Sequence, residues 1–132
     1  LPFPNDAFDG ILSKVVLSYT DDRKAVAEIA RALRPGGTAY IVTHGAGYYL
    51  IYLLKKRSLI TRFYGLRSLF NTAFFSLTGT RLPGFLGDTI YQSEKRLSQL
   101  YEAHGLEITS THSSTGPLGC PVFIYHKLTR KH

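Results

Sequence analysis

One histidine and three tyrosines are the side chains best placed to take part in chemistry. His44 directly follows a predicted strand over 38–43, Tyr48 and Tyr49 come shortly after it, and Tyr19 follows an earlier strand. Histidine has an unperturbed pKa near ~6.5, so His44 is the best candidate for a general base at neutral pH. A single histidine is equally compatible with a bystander held by hydrogen bonds, and both interpretations stay open.

Other patterns of reactive residues are missing from the sequence. The five histidines show no H-E-x-x-H spacing and Cys120 is the only cysteine, so we predict no metal site and no disulfide within the chain. There is no G-x-S-x-G elbow. Gly45-Ala46-Gly47 lacks the third glycine and the later acidic residue of a dinucleotide-binding fingerprint.

The first third of the chain alternates between strand and helix. The short apolar run 11–17 predicts a strand that is buried on both faces. A polar residue at 20–22 is expected to cap a helix whose apolar positions lie within 25–33, and Pro-Gly-Gly at 35–37 ends that helix. With the strand at 38–43, these elements predict a βαβ unit with parallel strands.

Residues 45–87 interrupt this alternation. Residues 48–54 and 59–77 are largely apolar with helical or mixed periodicity, so we predict an inserted pair of helices. Residues 78–87 contain one proline and three glycines and are predicted to form a loop.

The last third is predicted to form one helix and two strands. Thr89 and Gln92 have the spacing of a capping box, and the helix that they introduce is expected to end at Gly105. The runs 106–111 and 122–128 predict strands on either side of a turn.

Positive charge is concentrated in the inserted segment and beyond it. Sixteen Lys and Arg residues against nine Asp and Glu residues give a net charge of +7, and no acidic residue occurs between Glu28 and Asp88. Such a segment suits a membrane surface, an anionic ligand or nucleic acid, or it is only the solvated rim of a helix pair. The absence of any helix-turn-helix, zinc or RNA-binding motif argues against nucleic acid. The basic residues of the inserted segment 45–87 are Lys55, Lys56, Arg57, Arg62, Arg67 and Arg81.

The composition also indicates where the protein resides in the cell and whether the sequence is part of a longer chain. The single cysteine and the lack of a signal-peptide pattern indicate the cytoplasm, with peripheral membrane contact through 48–81 as an option. The sequence starts at Leu1 and contains no methionine, so we expect a piece of a longer protein.

Four stretches, in this order, resemble motifs of class I S-adenosylmethionine-dependent methyltransferases of the type 11 subgroup. LPFPNDAFD at 1–9 is similar to the family's L-P-F-(D/N)-x-x-F-D, and LSY at 17–19 follows the expected strand. LRPGGT at 33–38 resembles L-(K/R)-P-G-G, and GLEI at 105–108 resembles the entry to the sixth strand.

The resemblance implies an α/β, Rossmann-like fold whose seven strands follow the order 3-2-1-4-5-7-6, with strand seven antiparallel. Residues 1–132 would form the C-terminal part of one methyltransferase domain and supply strands four to seven, with 45–87 as a helical cap inserted within it. Strands one to three carry the glycine-rich loop and the acidic residue that hold most of the cofactor. Binding of S-adenosylmethionine is therefore expected to require that N-terminal half.

The resemblance also implies roles for individual residues. Leu1, Pro2 and Phe3 correspond to the loop beside the adenine ring, whereas Ser13 and Lys14 correspond to groups near the methionine end of the cofactor. The family usually has a small or polar residue where this chain has Lys14, and the alternative is that Lys14 extends into solvent.

The substrate side is implied in the same way. Tyr19, Tyr48 and Tyr49 are expected to contact the acceptor, with His44 as the base. The function implied is transfer of a methyl group to a small, apolar acceptor by a longer chain, while residues 1–132 alone are expected to be inactive. The alternative is a non-catalytic companion or remnant that completes the sheet of a partner methyltransferase. The expected partners are thus a small acceptor and either the chain's own N-terminal half or a partner chain.

Overall fold

A four-stranded mixed sheet organises the chain. The structure is a computed structural model that describes residues 2–55, 57–80, 82–84, 90 and 92–132. The strands follow the spatial order β1-β2-β4-β3, in which β1 and β2 are parallel and the other two pairs are antiparallel. This is the order 4-5-7-6 with an antiparallel strand seven, which confirms the predicted α/β fold. The strands are β1 (Phe8–Lys14), β2 (Leu33–His44), β3 (Leu106–Thr115) and β4 (Pro121–Arg130).

β1 begins and ends three residues earlier than predicted, and β2 begins five residues earlier. β1 stops at Lys14 because Val15 adopts a left-handed conformation with φ of 63°, which is rare for a β-branched residue. The Val15 amide donates to the carbonyl of Val42 at 2.7 Å, so the turn remains tied to β2. β2 begins as early as Leu33 because that residue pairs with Phe8.

Helix α1 (Asp22–Ala32) connects the two parallel strands as predicted. Its N-cap is Asp21, whose carboxylate accepts a hydrogen bond from the Lys24 amide at 3.2 Å. Val26 and Ile29 point into the core, as the helical spacing indicated.

Two helices, α2 (Ala46–Leu54) and α3 (Leu59–Thr78), confirm the predicted pair in the inserted segment. They approach closely at Gly65, where a Cβ atom would lie 2.8 Å from the carbonyl oxygen of Tyr49. Gly79 ends α3 in a left-handed conformation, with φ of 71°. No helix in the described ranges is both long and apolar enough to cross a membrane.

Helix α4 (Glu94–Ala103) begins later than predicted, and the capping-box prediction was wrong. Ser93 is the N-cap and accepts from the Arg96 amide at 3.3 Å. Gln92 lies before the helix because its buried amide donates to the Asp22 carboxylate at 3.1 Å, and Thr89 falls outside the described residues.

The core lies between one face of the sheet and helices α1 and α4. An ion pair joins the two helices, with Arg96 Nη2 2.7 Å from Asp22 Oδ2; Asp22 is buried, whereas Arg96 is partly exposed. The buried apolar side chains are those of Leu17, Val26, Ile29, Ala30, Leu33, Ala39, Ile41, Leu97, Tyr101, Leu106 and Leu128.

Candidate functional site

The carboxyl ends of β1 and β2 meet at one edge of the sheet. Ser13 and Lys14 close β1 and pair with Ile41 and Val42 of β2, which then ends at His44. Ser13 is buried, whereas Lys14 is exposed. Ligands of open α/β folds bind outside the carboxyl ends of parallel strands, so this edge is the candidate site.

Two of the predicted cofactor residues lie at the other end of β1. Phe3 packs edge-on against Phe8 with 5.0 Å between ring centroids. Ser13 lies five positions after Phe8, which at ~3.3 Å per residue corresponds to roughly 17 Å along the strand. Pro2 is exposed beside Phe3, and Leu1 lies outside the described residues. The structure therefore does not bring Phe3 together with Ser13 and Lys14.

The structure does bring the predicted base and acceptor residues together in an aromatic cluster. The His44 ring stacks on Tyr48 with 3.7 Å between centroids and an interplanar angle of 6°. Tyr19 and Tyr49 meet the same imidazole edge-on at 6.5 and 6.1 Å. Phe123 of β4 completes the cluster at 5.2 Å.

The environment of His44 favours its neutral form. Its side chain is only 5% exposed, and Nδ1 has no hydrogen-bond partner within the described part of the chain. Burial lowers the pKa of His44 from its usual value near 6.5. A neutral imidazole accepts a proton at a ring nitrogen, in the plane of the ring, so the face-on stacking of Tyr48 does not block that lone pair.

A cavity of about 130 Å³ opens beside the cluster, between Tyr19 and helices α2 and α3. Among the described residues that line it, Arg67 is the formally charged one; only 9% of Arg67 is exposed, and its guanidinium lies 5.2 Å from the centre of the Tyr64 ring. The cavity is thus aromatic, hydroxyl-rich and positively charged on one wall. Its lining residues are Tyr19, Tyr48, Tyr49, Tyr52, Tyr64, Gly65, Arg67 and Ser68.

Two tyrosines of this cavity, Tyr48 and Tyr49, keep their protons at neutral pH. The Tyr48 and Tyr52 hydroxyls lie 3.0 Å apart, and burial together with this hydrogen bond raises the pKa of Tyr48 to about 12. Burial also raises the pKa of Tyr49 well above its usual range. Neutral hydroxyl groups can both donate to and accept from a polar group on a ligand.

Three cavity residues escaped the sequence analysis. Tyr52 follows Tyr48 by four residues and so shares its helix face, which is a signal that could have been used. Arg67 was counted with the basic residues of a presumed surface, and only its burial separates it from exposed Arg57. Tyr64 lies on the second helix, so only the packing of α3 against α2 brings it to the cavity.

A second cavity, of about 380 Å³, lies between the β1–α1 loop and the C-terminal end of α3. Its walls include Thr20 and Asp21 on one side and Phe75 and Gly79 on the other. Tyr19 borders both cavities. Its position links the turn after β1 to the tyrosine-lined space.

Comparisons with known proteins agree with this architecture. Residues 1–41 match a family model described as a methyltransferase domain. No curated protein matches the chain. An S-adenosylmethionine-dependent methyltransferase from Methanosarcina mazei has a TM-score of 0.60 and 21% identity, with 99% of this chain and 63% of that protein covered. One from Mesorhizobium loti has a TM-score of 0.63 and 18% identity, with 98% and 65% covered.

A structure with a bound ligand shows the same fold. The 1,6-didemethyltoxoflavin-N1-methyltransferase of Burkholderia thailandensis, solved with 1,6-didemethyltoxoflavin and S-adenosylhomocysteine, has a TM-score of 0.57 and 15% identity, with 97% of this chain and 46% of that protein covered. This chain spans less than two thirds of the length of all three proteins. At these identities the similarity establishes the fold, which is that of the class I methyltransferases.

Proposed function

We propose that this chain, with its class I methyltransferase fold, forms the acceptor side of an active site that transfers a methyl group from S-adenosylmethionine to a small, largely apolar acceptor. One observation carries the proposal: His44, Tyr19, Tyr48 and Tyr49 converge at the carboxyl edge of the parallel strands, beside a cavity. The fold alone would leave the position of the acceptor open.

This chain would form one wall of the cofactor-binding site. S-adenosylmethionine, when bound, supplies an electrophilic methyl group on a sulfonium. Ser13 fits a role beside it, because its buried hydroxyl stands at the end of β1; we assign Lys14 to the same end of the strand. We assign Leu1, Pro2 and Phe3 to the adenine side of the cofactor; Phe3 packs at the end of β1 opposite Ser13.

The remaining walls would come from an N-terminal half, on the same chain or on a partner. Among the described strands, β1 has only β2 as a neighbour. Its free side carries Leu12, which is 73% exposed, and a groove of about 490 Å³ runs between this edge and α1. An apolar strand edge of this kind is normally covered by another strand.

The tyrosine-lined cavity is the proposed acceptor site. Its volume, about 130 Å³, is close to the ~150 Å³ of a cavity that holds benzene, so it would take one small ring or the reacting end of a longer molecule. Tyrosine faces suit apolar or aromatic bulk, and Arg67 suits a carbonyl oxygen or an anionic group.

To catalyse methyl transfer, the protein mainly has to align the acceptor with the methyl group and exclude water. The aromatic cluster around His44 provides both. A base is needed only when the acceptor carries a proton of high pKa. We assign that role to His44, which would receive the proton at its unprotonated ring nitrogen.

The inserted segment 45–87 is proposed to cap the site and select the acceptor, since α2 and α3 supply most of the cavity wall. We place the protein in the cytoplasm, with 48–81 as the surface for a membrane or an anionic ligand. The alternative function is a non-catalytic companion that completes the sheet of a partner methyltransferase, which the free edge of β1 would also serve.

Calorimetric titration with S-adenosylhomocysteine tests the proposal. Residues 1–132 alone should show no binding, and the same residues joined to an upstream half with a glycine-rich loop should bind at micromolar concentration. In the joined protein, Ser13→Val should weaken cofactor binding, whereas Tyr48→Phe should leave it unchanged. Micromolar binding by residues 1–132 alone would refute the assignment of the cofactor to the other half.

A further inference from the structure

Helix α3 turns its apolar face outward. At 3.6 residues per turn, the residues at 59, 63, 66, 70 and 77 fall on one stripe. All five side chains are large and apolar, and their exposed fractions run from 52% for Phe63 to 88% for Leu77. The stripe spans nineteen residues, and the eighteen steps of ~1.5 Å between Leu59 and Leu77 give it a length of roughly 27 Å. Its members are Leu59, Phe63, Leu66, Phe70 and Leu77.

The opposite face of the same helix is small and polar, and it is buried. Gly65, Ser68, Asn71 and Thr72 pack inward, where Gly65 permits the close approach to α2. An amphipathic helix on the surface of a globular protein normally has the reverse orientation. A continuous apolar stripe of this length marks a site of contact with something outside the described structure.

Positive charge lies at the end of the stripe where α3 begins. Lys55, Arg57 and Arg62 are exposed there, and no acidic residue occurs from 29 to 87. Arg62 is held in place by donating to the carbonyl of Leu53 at 3.1 Å. Apolar and aromatic side chains with an adjacent cluster of Lys and Arg are the composition that binds anionic bilayer surfaces.

We propose that α3 docks in the interfacial plane of an anionic lipid bilayer. The stripe from Leu59 to Leu77 enters the boundary between headgroups and acyl chains, while Lys55, Arg57 and Arg62 contact the anionic headgroups. A second copy of the chain fits this surface less well, because its own α3 carries no acidic residue to pair with these bases. The inference rests on the proposed assignment of 48–81 to a membrane or an anionic ligand, which it narrows to one surface, and it holds whatever the acceptor is.

Vesicle flotation tests the proposal and separates binding from sedimenting aggregates. Residues 1–132 should float with vesicles of phosphatidylcholine and phosphatidylglycerol and remain at the bottom with pure phosphatidylcholine. Phe63→Ser with Phe70→Ser should lower the partition coefficient at least tenfold. Lys55→Gln with Arg57→Gln should lower it by about fivefold per charge, with a weaker salt dependence.

Tyr40→Ser is the matched control. Tyr40 is a half-exposed aromatic residue on β2, outside α3, and its removal should leave flotation unchanged. Equal loss in Tyr40→Ser, or undiminished flotation of the double Phe variant, would overturn the proposal. So would equal binding to neutral vesicles. A dimer in sedimentation velocity that the double Phe variant abolishes, with no vesicle binding, would assign the stripe to a second copy instead.

Discussion

Replacing Gly65 by alanine should destabilise the α2–α3 pair, although alanine is the better helix former. Without a clash, Gly→Ala in a helix interior stabilises by about 1 kcal/mol. Here the new methyl group would lie 2.8 Å from the Tyr49 carbonyl oxygen and 3.2 Å from the Leu53 nitrogen. Both neighbours are backbone atoms of α2, so the helices must move apart, and such overpacking costs about 1–3 kcal/mol. The expected net loss is about 1 kcal/mol.

Near-ultraviolet circular dichroism of the tyrosines can report on this perturbation, because no tryptophan signal overlaps theirs. The chain has nine tyrosines and no tryptophan, and five of the tyrosines surround the cavity between the two helices. Urea unfolding followed by near-ultraviolet circular dichroism should show a lower midpoint for Gly65→Ala and a changed native tyrosine spectrum. The control is Ala73→Gly, at an exposed position of the same helix, which should lose about 1 kcal/mol from helix propensity alone and keep the native spectrum. Stabilisation of Gly65→Ala by about 1 kcal/mol would refute the close approach of α2 and α3.

Other perturbations test the electrostatics and the sheet edge. Burial lowers the pKa of His44, so the stability gained by burying the neutral imidazole is fully present above pH ~6.5 and is lost as the pH falls below that value. Between neutral and acid pH, the urea midpoint should therefore fall less in His44→Gln than in the wild type. An equal fall in the two proteins would contradict this. The pKa of Tyr48 is raised to about 12, so stability should fall as the pH rises from ~10 to ~12, and Tyr48→Phe should reduce that fall in unfolding followed by tyrosinate absorbance. Asp22→Ala should lower the free energy of unfolding by about 2–3 kcal/mol, because Arg96 and the buried Gln92 amide lose their acceptor. If a double-mutant cycle with Arg96→Met shows no coupling, the ion pair does not contribute to this loss. Leu12→Lys places a charge on the free edge of β1 and should shift sedimentation velocity profiles toward monomer, whereas a wild-type chain that is already monomeric would show that this edge does not self-associate.

Much of the fold follows from local patterns. Short apolar runs separated by a helix of regular period predicted the parallel pair β1 and β2, and apolar runs without β-α alternation predicted the two inserted helices. The helix cap at Asp21 also follows from the residue types at 20–22, because capping needs only a short acceptor side chain beside the first turn. These features depend on neighbours along the chain, which the sequence contains.

The end of β1 and the N-cap of α4 depend on tertiary contacts. Thr89 and Gln92 have the spacing of a capping box, yet the helix starts after Ser93 because the Gln92 amide binds Asp22 on another helix. β1 stops at Lys14 because the amide of Val15 bonds to β2 in a left-handed turn. Local propensity cannot anticipate a partner that lies far away in the sequence.

The candidate site, too, could be predicted only in part from the sequence. Residue types at strand ends singled out His44, Tyr19, Tyr48 and Tyr49, and the structure gathers them because parallel strands end at one edge. The burial of Arg67 and the outward apolar face of α3 were decided by packing alone. Periodicity shows which residues share a face of a helix, but which face turns inward depends on the shape of the surface it meets, and here the close approach at Gly65 buries the small polar face.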